Sequence, residues 1–345
     1  MKRVALDAMG GDHAPEATVA GAVLATRKFG LSLLLTGDRG RLTAELEKYA
    51  PVPEGIAIVH AASVIDMHES PGPALLRKRD ASVVVAMELV REGDAAAVVS
   101  VGNSGAAMGA ATLRLGLIPG LERPAIAMAM PSREKGAMLL DVGATVDTRP
   151  EHLRDFALIG SVYARCLLHI ENPRVGLLNI GAEESKGNAL VKLAYPLIKQ
   201  TSVNFVGHVE GEQIALGGVD VVVCDGFVGN AILKAIEGYG ELFWTMFKDA
   251  LRVGVRGRLG GWLLRPALRS VAAKLDYVTY GGALLVGVNG VCVIGHGRSS
   301  PDAVANALRV AAELADQGVV EQLTASFEQL DNHVVQAAVG QELQQ

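Results

Sequence analysis

Cysteine is scarce in this chain: Cys166, Cys224 and Cys292 are the only three in 345 residues, each inside an apolar run. Their spacing builds neither a disulfide framework nor a zinc-like pair, and it predicts reduced core thiols in a cytosolic protein. Aromatic residues make up 4% and charged residues 20%. No run of about 18 apolar residues has the character of a membrane span. MKRVALDAMGGDHAPE reaches an aspartate and a Gly-Gly pair before an apolar h-region forms, so no signal peptide is expected. Several signatures are also missing. Neither G-x-G-x-x-G nor G-x-x-x-x-G-K-[ST] occurs, which removes the main support for dinucleotide and P-loop chemistry. There is no H-E-x-x-H and no Cys/His cluster for zinc, Gly102-Asn103-Ser104-Gly105 does not fit G-x-S-x-G, and His152-Leu-Arg-Asp155 is too short for a His-x4-Asp pair.

What the chain has is apolar material and a repeated pattern. Half its residues are hydrophobic, enough for a large core, and its net charge of −5 argues against general nucleic-acid binding. Short apolar runs alternate with helical periodicities: KRVALDA before PEATVAGAVLATRKFG, LSLLLTG before RLTAELEKYA, DAAAVVS before SGAAMGAATLRLG, and DVVVCDG before NAILKAIEG. RPAIAMAMP and GAMLLDVGAT read as a hairpin or neighbouring strands, and two late strands flank Asn289-Gly290. Met67 to Asp80, with Pro71-Gly72-Pro73, reads as a surface loop, and Asp12 as a helix cap. The expectation is an α/β fold: a doubly wound, mostly parallel sheet with helices on both faces and function at the loops leaving strand carboxyl ends. Residues 1–345 read as a single catalytic domain.

Five of those loops combine Gly with Asp, Asn or Lys. They hold Asp7, Gly10, Gly11 and His13; Asn103 and Ser104; Asp141 and Gly143; Asn179, Gly181, Glu183, Lys186, Gly187 and Asn188; and Asp225, Gly226 and Asn230. The fourth is the most informative. Val175 to Ile180 has strand length, and Leu190, Leu193, Leu197 and Ile198 mark a following amphipathic helix. The first amides of that helix and its dipole make an anion site. Lys186 stands where the dipole disfavours a cation, so it needs Glu183, Glu184 or a bound anion beside it. A solvated loop with paired Lys and Glu explains one such loop; five of similar chemistry favour a phosphate-bearing ligand.

One segment is different. Lys248 to Lys274 holds seven basic residues and one acid, a charge of +6 that leaves −11 for the rest. Residues 238–275 read as an inserted basic, amphipathic helical hairpin with a flexible tip at Gly257, Gly260 and Gly261. Both tryptophans, Trp244 and Trp262, lie in it. Trp262, Leu263 and Leu264, with Arg252, Arg256, Arg258, Arg265 and Arg269 around them, suggest an interfacial anchor for an anionic membrane or an acidic partner. Alternatively, the apolar stripes pack on each other or on a second copy.

DAMGGDHAP, SVGNSGAAMGA, LLDVGAT, NIGAEESKGN, GHVEG, CDGFVGN and YGG…GVNG…GHG together resemble the bacterial phosphate acyltransferases of phospholipid synthesis, the acyl-carrier-protein:phosphate acyltransferase family. The resemblance runs from the first residues to about Gly318. It implies a fold similar to isopropylmalate dehydrogenase and phosphate acetyltransferase, with no metal or organic cofactor. It implies transfer of a long fatty acyl group from acyl-carrier protein to inorganic phosphate, and a membrane glycerol-3-phosphate acyltransferase that consumes the product. It further implies a homodimer in the cytoplasm, peripherally attached to the inner face of the cell membrane. For that chemistry Lys186 with the Gly187 and Asn188 amides is the expected phosphate site. Asn230 with Asn188 is expected at the carbonyl oxygen, the other loop residues bind substrate, and His208 or His296 is available for proton transfer. The alternatives are a soluble phosphate acetyltransferase-type enzyme using a short acyl-CoA, a dehydrogenase on the same fold, and a non-catalytic binding module built on the hairpin.

Overall fold

The computed structural model describes residues 2–252, 254–275 and 281–342, with side chains at 2–251, 254, 259–268 and 281–330. Eleven strands among them form one sheet: β1 (Val4–Asp7), β2 (Leu33–Gly37), β3 (Ile56–His60), β4 (Ala97–Ser100), β5 (Ala125–Met130), β6 (Ala137–Leu140), β7 (Arg174–Leu178), β8 (Asn204–Val209), β9 (Val221–Val223), β10 (Ala283–Val286) and β11 (Val291–Ile294). The helices are α1 (Glu16–Phe29), α2 (Arg39–Glu47), α3 (Pro71–Arg77), α4 (Ser82–Arg91), α5 (Ser104–Arg114), α6 (Pro150–Leu168), α7 (Ala189–Lys199), α8 (Gln213–Leu216), α9 (Gly226–Arg252), α10 (Gly254–Leu275), α11 (Pro301–Asp316) and α12 (Val319–Glu342).

The strand order is β3-β2-β1-β4-β11-β10-β5-β6-β9-β7-β8. Most neighbours are parallel; β10 is antiparallel to both β11 and β5, and β5 is antiparallel to β6. The sheet is therefore mostly parallel within each half, but β1, β2, β3 and β4 run opposite to β6, β7, β8 and β9. Side-chain alternation feeds two faces. Val4 and Leu6 of β1 join a core with α1, α6 and α11, while Ala5 joins the core beneath α4 and α5 on the other face. A third cluster under α8 and the start of α9 holds Val209, Ile214, Val222 and Leu233. Helices on both faces of a mixed sheet realise the expected α/β class; β5 and β6 pair as the expected neighbouring strands, and β10 and β11 are the two late strands expected around Asn289-Gly290.

Several local expectations change. Pro71 to Arg77 is the helix α3, because a proline in the first turn lacks only an N–H that would have no partner there. Asp12 does not cap α1, whose N-cap is Pro15; its N–H instead donates to the Gly297 carbonyl. In α7 it is Ala194 and Ile198 that are buried, while Leu193 faces outward. The three cysteines are free and buried, and burial pushes the Cys292 thiol up to about 12.

The hairpin segment also differs in detail. Residue 238 lies within α9, which begins directly after β9, and α10 runs helically through Gly257, Gly260 and Gly261. The two helices approach where Gly261 meets Leu251, yet Phe243, Met246, Trp262 and Leu264 stay exposed. Arg265 is exposed, whereas the side chains of Arg252, Arg256, Arg258 and Arg269 lie outside the described residues.

Candidate active site

The five loops separate into two groups by strand direction. The loops after β6, β9 and β7, three adjacent parallel strands, carry Asp141, Asn230 and Lys186. The loops after β1 and β4, strands of the opposite sense, carry Asp7 and Asn103. No hydrogen bond among the described residues joins the groups.

In the first group Asp141 organises the turn. It is fully buried, and its Oδ1 accepts N–H bonds from Ile126, Gly143 and Ala144 while Oδ2 accepts from Thr145 at 2.6 Å. Burial pushes its carboxyl above the ordinary range, against the pull of those amides. The Gly226 N–H donates to the Thr145 carbonyl, and Asp225 Oδ1 accepts the Val228 N–H, fixing the start of α9. A side chain at Gly229 would bring its Cβ to 1.9 Å from the Asp141 carbonyl oxygen, so only glycine lets the helix approach this closely. One residue on, Asn230 is exposed and lies over Gly143.

The neighbouring loop is built around Lys186. Its ammonium lies 2.7 Å from Glu183, one of the two carboxylates anticipated as its partner, and both side chains are exposed. That pairing holds the ammonium above, and the Glu183 carboxyl below, their ordinary ranges. Asn179, nearly buried, donates to the Lys186 carbonyl, and the lysine stem lies over Gly181. Gly187 has φ of +95°, a left-handed conformation favouring glycine, and an added Cβ would sit 2.5 Å from Asn179 Oδ1. Asn188 caps α7, its Oδ1 accepting the Val191 N–H, so only its amide nitrogen is left to contact a ligand. The arrangement offers a lysine, two helix N-termini and two asparagine amides on one end of adjacent strands, means of holding an anion and polarising a carbonyl.

The second group is more structural. Asp7 is buried, accepts the Ser100 hydroxyl at 2.8 Å, and lies against Gly10 and Gly102; burial pushes its carboxyl up. Asn103 caps α5 through the Ala106 N–H while its amide donates to the carbonyls of Asp66, Met67 and Glu69. Ser104 is exposed at the start of α5, and Gly11 packs against Val101 and the Gly297 carbonyl. His13 is exposed and borders an open cavity of about 510 Å³ with Glu16, Tyr49 and Arg298. Sequence reading missed Thr145, Ser100 and Arg298; a hydroxyl or charge ending an apolar run was the available signal.

A profile described as "Fatty acid synthesis protein" matches residues 2–322. The chain is 46% identical over 322 residues to a protein of Desulfitobacterium hafniense named "Phosphate acyltransferase", covering 93% of this chain and 96% of that one. A "Phosphate acyltransferase" of Cyanothece sp. is 47% identical, with 96% and 97% covered. Among solved structures, a phosphotransacetylase from Streptococcus pyogenes superposes with a TM-score of 0.65 at 15% identity, covering 92% of this chain and 94% of that one. A 4-hydroxythreonine-4-phosphate dehydrogenase from Klebsiella pneumoniae gives 0.52 at 13% identity, with 91% and 100% covered, so these two likenesses speak to fold alone.

Proposed function

Because the chain belongs to the fatty acid synthesis protein family and is an acyltransferase using phosphate, we propose that it moves a long-chain fatty acyl group from acyl-carrier protein to inorganic phosphate, making an acyl phosphate for phospholipid synthesis. The observation that carries the reading is the Lys186 loop, where an exposed lysine, paired with an exposed glutamate, stands beside the N-terminus of α7. A phosphate replaces Glu183 on the ammonium and takes the free amides. One phosphate oxygen then attacks the thioester carbonyl carbon. The carbonyl electrons become an oxyanion, stabilised by the amide nitrogens of Asn230 and Asn188. The intermediate collapses, the C–S bond breaks and the thiolate departs with its electron pair. Phosphate is itself the nucleophile, so the chemistry needs orientation and charge stabilisation rather than a Ser-His pair.

The outer parts of the reading rest on surface character. Among the described residues no helix is long and apolar enough to cross a membrane. Exposed Trp262, Leu263 and Leu264 beside Arg265 suit contact with an anionic membrane surface, where a membrane glycerol-3-phosphate acyltransferase would take the product. The uncovered stripe of α9 suits a second copy, giving a homodimer working at the inner face of the cell membrane. The test is thiol release from palmitoyl-acyl-carrier protein with and without inorganic phosphate, trapping product with hydroxylamine. Phosphate-dependent release with a trappable acyl phosphate is expected, lost by ~100-fold or more in a folded Lys186→Ala variant. Turnover of acetyl-CoA alone would move the protein to short-chain phosphate acetyltransfer.

A further inference from the structure

A single extra residue in an edge strand carries the next inference. β8 pairs with β7 as Val175↔Phe205 and then Gly176↔Gly207, so Val206 has no partner and Gly207 adopts φ of +89°. This is a β-bulge, which changes which residues share a face. Without it Phe205 and His208, three residues apart, would point to opposite faces. With it both meet Tyr195 of α7: the Phe205 ring lies 5.1 Å and the His208 ring 4.8 Å from it, centroid to centroid. The far end of Tyr195 donates its hydroxyl to Glu184 Oε1 at 2.8 Å, in the loop that carries Lys186.

His208 is only 8% exposed, yet among the described residues neither ring nitrogen makes a hydrogen bond of good geometry. A buried unpaired polar group costs about 1–3 kcal/mol, so the ring's placement calls for a reason. The groups facing it are Tyr195 from α7, the Leu177 backbone of β7 and the Glu184 carboxylate of the loop; Lys199 lies beyond, over the Tyr195 ring. Burial holds the imidazole below its ordinary range, while the Leu177 backbone, as an acceptor for a protonated ring, and the charge of Glu184 favour the charged form.

Building on the acyl-phosphate reading, we propose that His208 is a positioning residue for the Lys186 loop, acting through Tyr195 and Glu184. With the ring neutral, Glu184 stays on the Tyr195 hydroxyl and leaves Lys186 only Glu183 to exchange for phosphate. A protonated ring competes for Glu184, draws it off Tyr195 and shifts the loop.

The experiment compares wild type, His208→Gln and Tyr195→Phe in phosphate-dependent thiol release from palmitoyl-acyl-carrier protein between about pH 5 and 8. The ionisation of phosphate is common to all three, so the ratio of wild type to His208→Gln isolates the imidazole. The wild type is expected to lose kcat/KM for phosphate several-fold more steeply on the acid side than His208→Gln, through KM. Tyr195→Phe keeps the ring contacts and is expected to raise the phosphate KM several-fold throughout, more than it changes kcat. A constant ratio across the pH range, or an unchanged phosphate KM in Tyr195→Phe, overturns the inference. Absence of phosphate-dependent turnover in the wild type overturns the acyl-phosphate reading itself, and this inference with it.

Discussion

Replacing Asp141 by asparagine tests whether one buried carboxylate sets the geometry of the turn at the candidate site. The oxygen of an asparagine can keep the N–H bonds from Ile126, Gly143 and Ala144 now made by Oδ1, but its NH2 group then faces the Thr145 N–H that Oδ2 accepts at 2.6 Å. The opposite rotamer saves the Thr145 bond and loses three. The better arrangement leaves one buried donor unpaired and turns three charge-assisted bonds into neutral ones. Hydrogen bonds to a charged group contribute about 1.5–3 kcal/mol each and neutral ones roughly half as much, a loss of about 4–7 kcal/mol; a neutral side chain avoids the cost of burying the charge, which offsets part of it, so a net loss of about 2–4 kcal/mol is expected. For a chain of this size that lowers the melting temperature by about 3–6 °C. Gly143 lies directly under Asn230, so movement of the turn carries into the site. A displacement of about 1 Å can cost up to 100-fold in rate. Thermal unfolding of Asp141→Asn, with kcat/KM measured well below its midpoint, reads both effects. A variant that melts within about 1 °C of wild type and turns over normally would refute the argument, because a net loss of that size requires several degrees.

Gly187→Ala forces a side chain into a left-handed position with Cβ 2.5 Å from Asn179 Oδ1. We expect a stability loss of about 1–3 kcal/mol in urea unfolding and a raised phosphate KM. Arg174 hydrogen bonds Asp220 at 2.9 Å and Glu134 at 2.6 Å, clasping the start of β7 to that of β9 and to the β5–β6 turn. Arg174→Ala leaves the buried Asp220 with the backbone N–H of residue 174 at 2.8 Å but without its cation, and should cost about 2–4 kcal/mol. Burial pushes the Asp220 carboxyl up, but the Arg174 bonds outweigh it and hold it below its ordinary value. Its contribution is thus present above the unfolded pKa of about 3.9, and the difference between wild type and variant should shrink as pH falls below that. Trp262→Ala with Leu263→Ala should abolish co-sedimentation with anionic liposomes while leaving thiol release in solution intact; undiminished sedimentation would remove the membrane role of the hairpin tip.

Local chemistry was legible in the sequence and long-range pairing was not. The Lys186–Glu183 pair lies three residues apart in one loop, so spacing alone pointed to it, whereas Asn188, expected only at the carbonyl oxygen, also caps α7 through the Val191 N–H. The reversal of strand direction depends on β10 and β11, which come late in the chain yet lie between β4 and β5. Nothing local in YGGALLVGVNGVCVIG says where in the sheet it pairs, so the five loops read as one set. Asp141 was read as a ligand because its partner Ile126 lies across a strand pair. His208 stood out only as a histidine, since NFVGHV gives no sign that one of its residues is extra.

The loop reading and the hairpin reading, separate in sequence, meet on one helix. α9 starts at the turn that Asp141 holds and continues for 27 residues, a span of about 40 Å at 1.5 Å per residue. Its first turn carries Gly229 and Asn230; further along, Ile236, Tyr239, Phe243 and Met246 follow one another on a single exposed face. A fatty acyl phosphate has an anionic head and a long apolar tail, and a continuous helix holds the regions suited to each at a fixed separation. A loop between them would let that distance vary. Gly229 anchors this arrangement, because only the missing side chain allows the helix to seat on the Asp141 carbonyl. The same glycine that shapes the candidate site at the start of α9 therefore also fixes where the apolar face points.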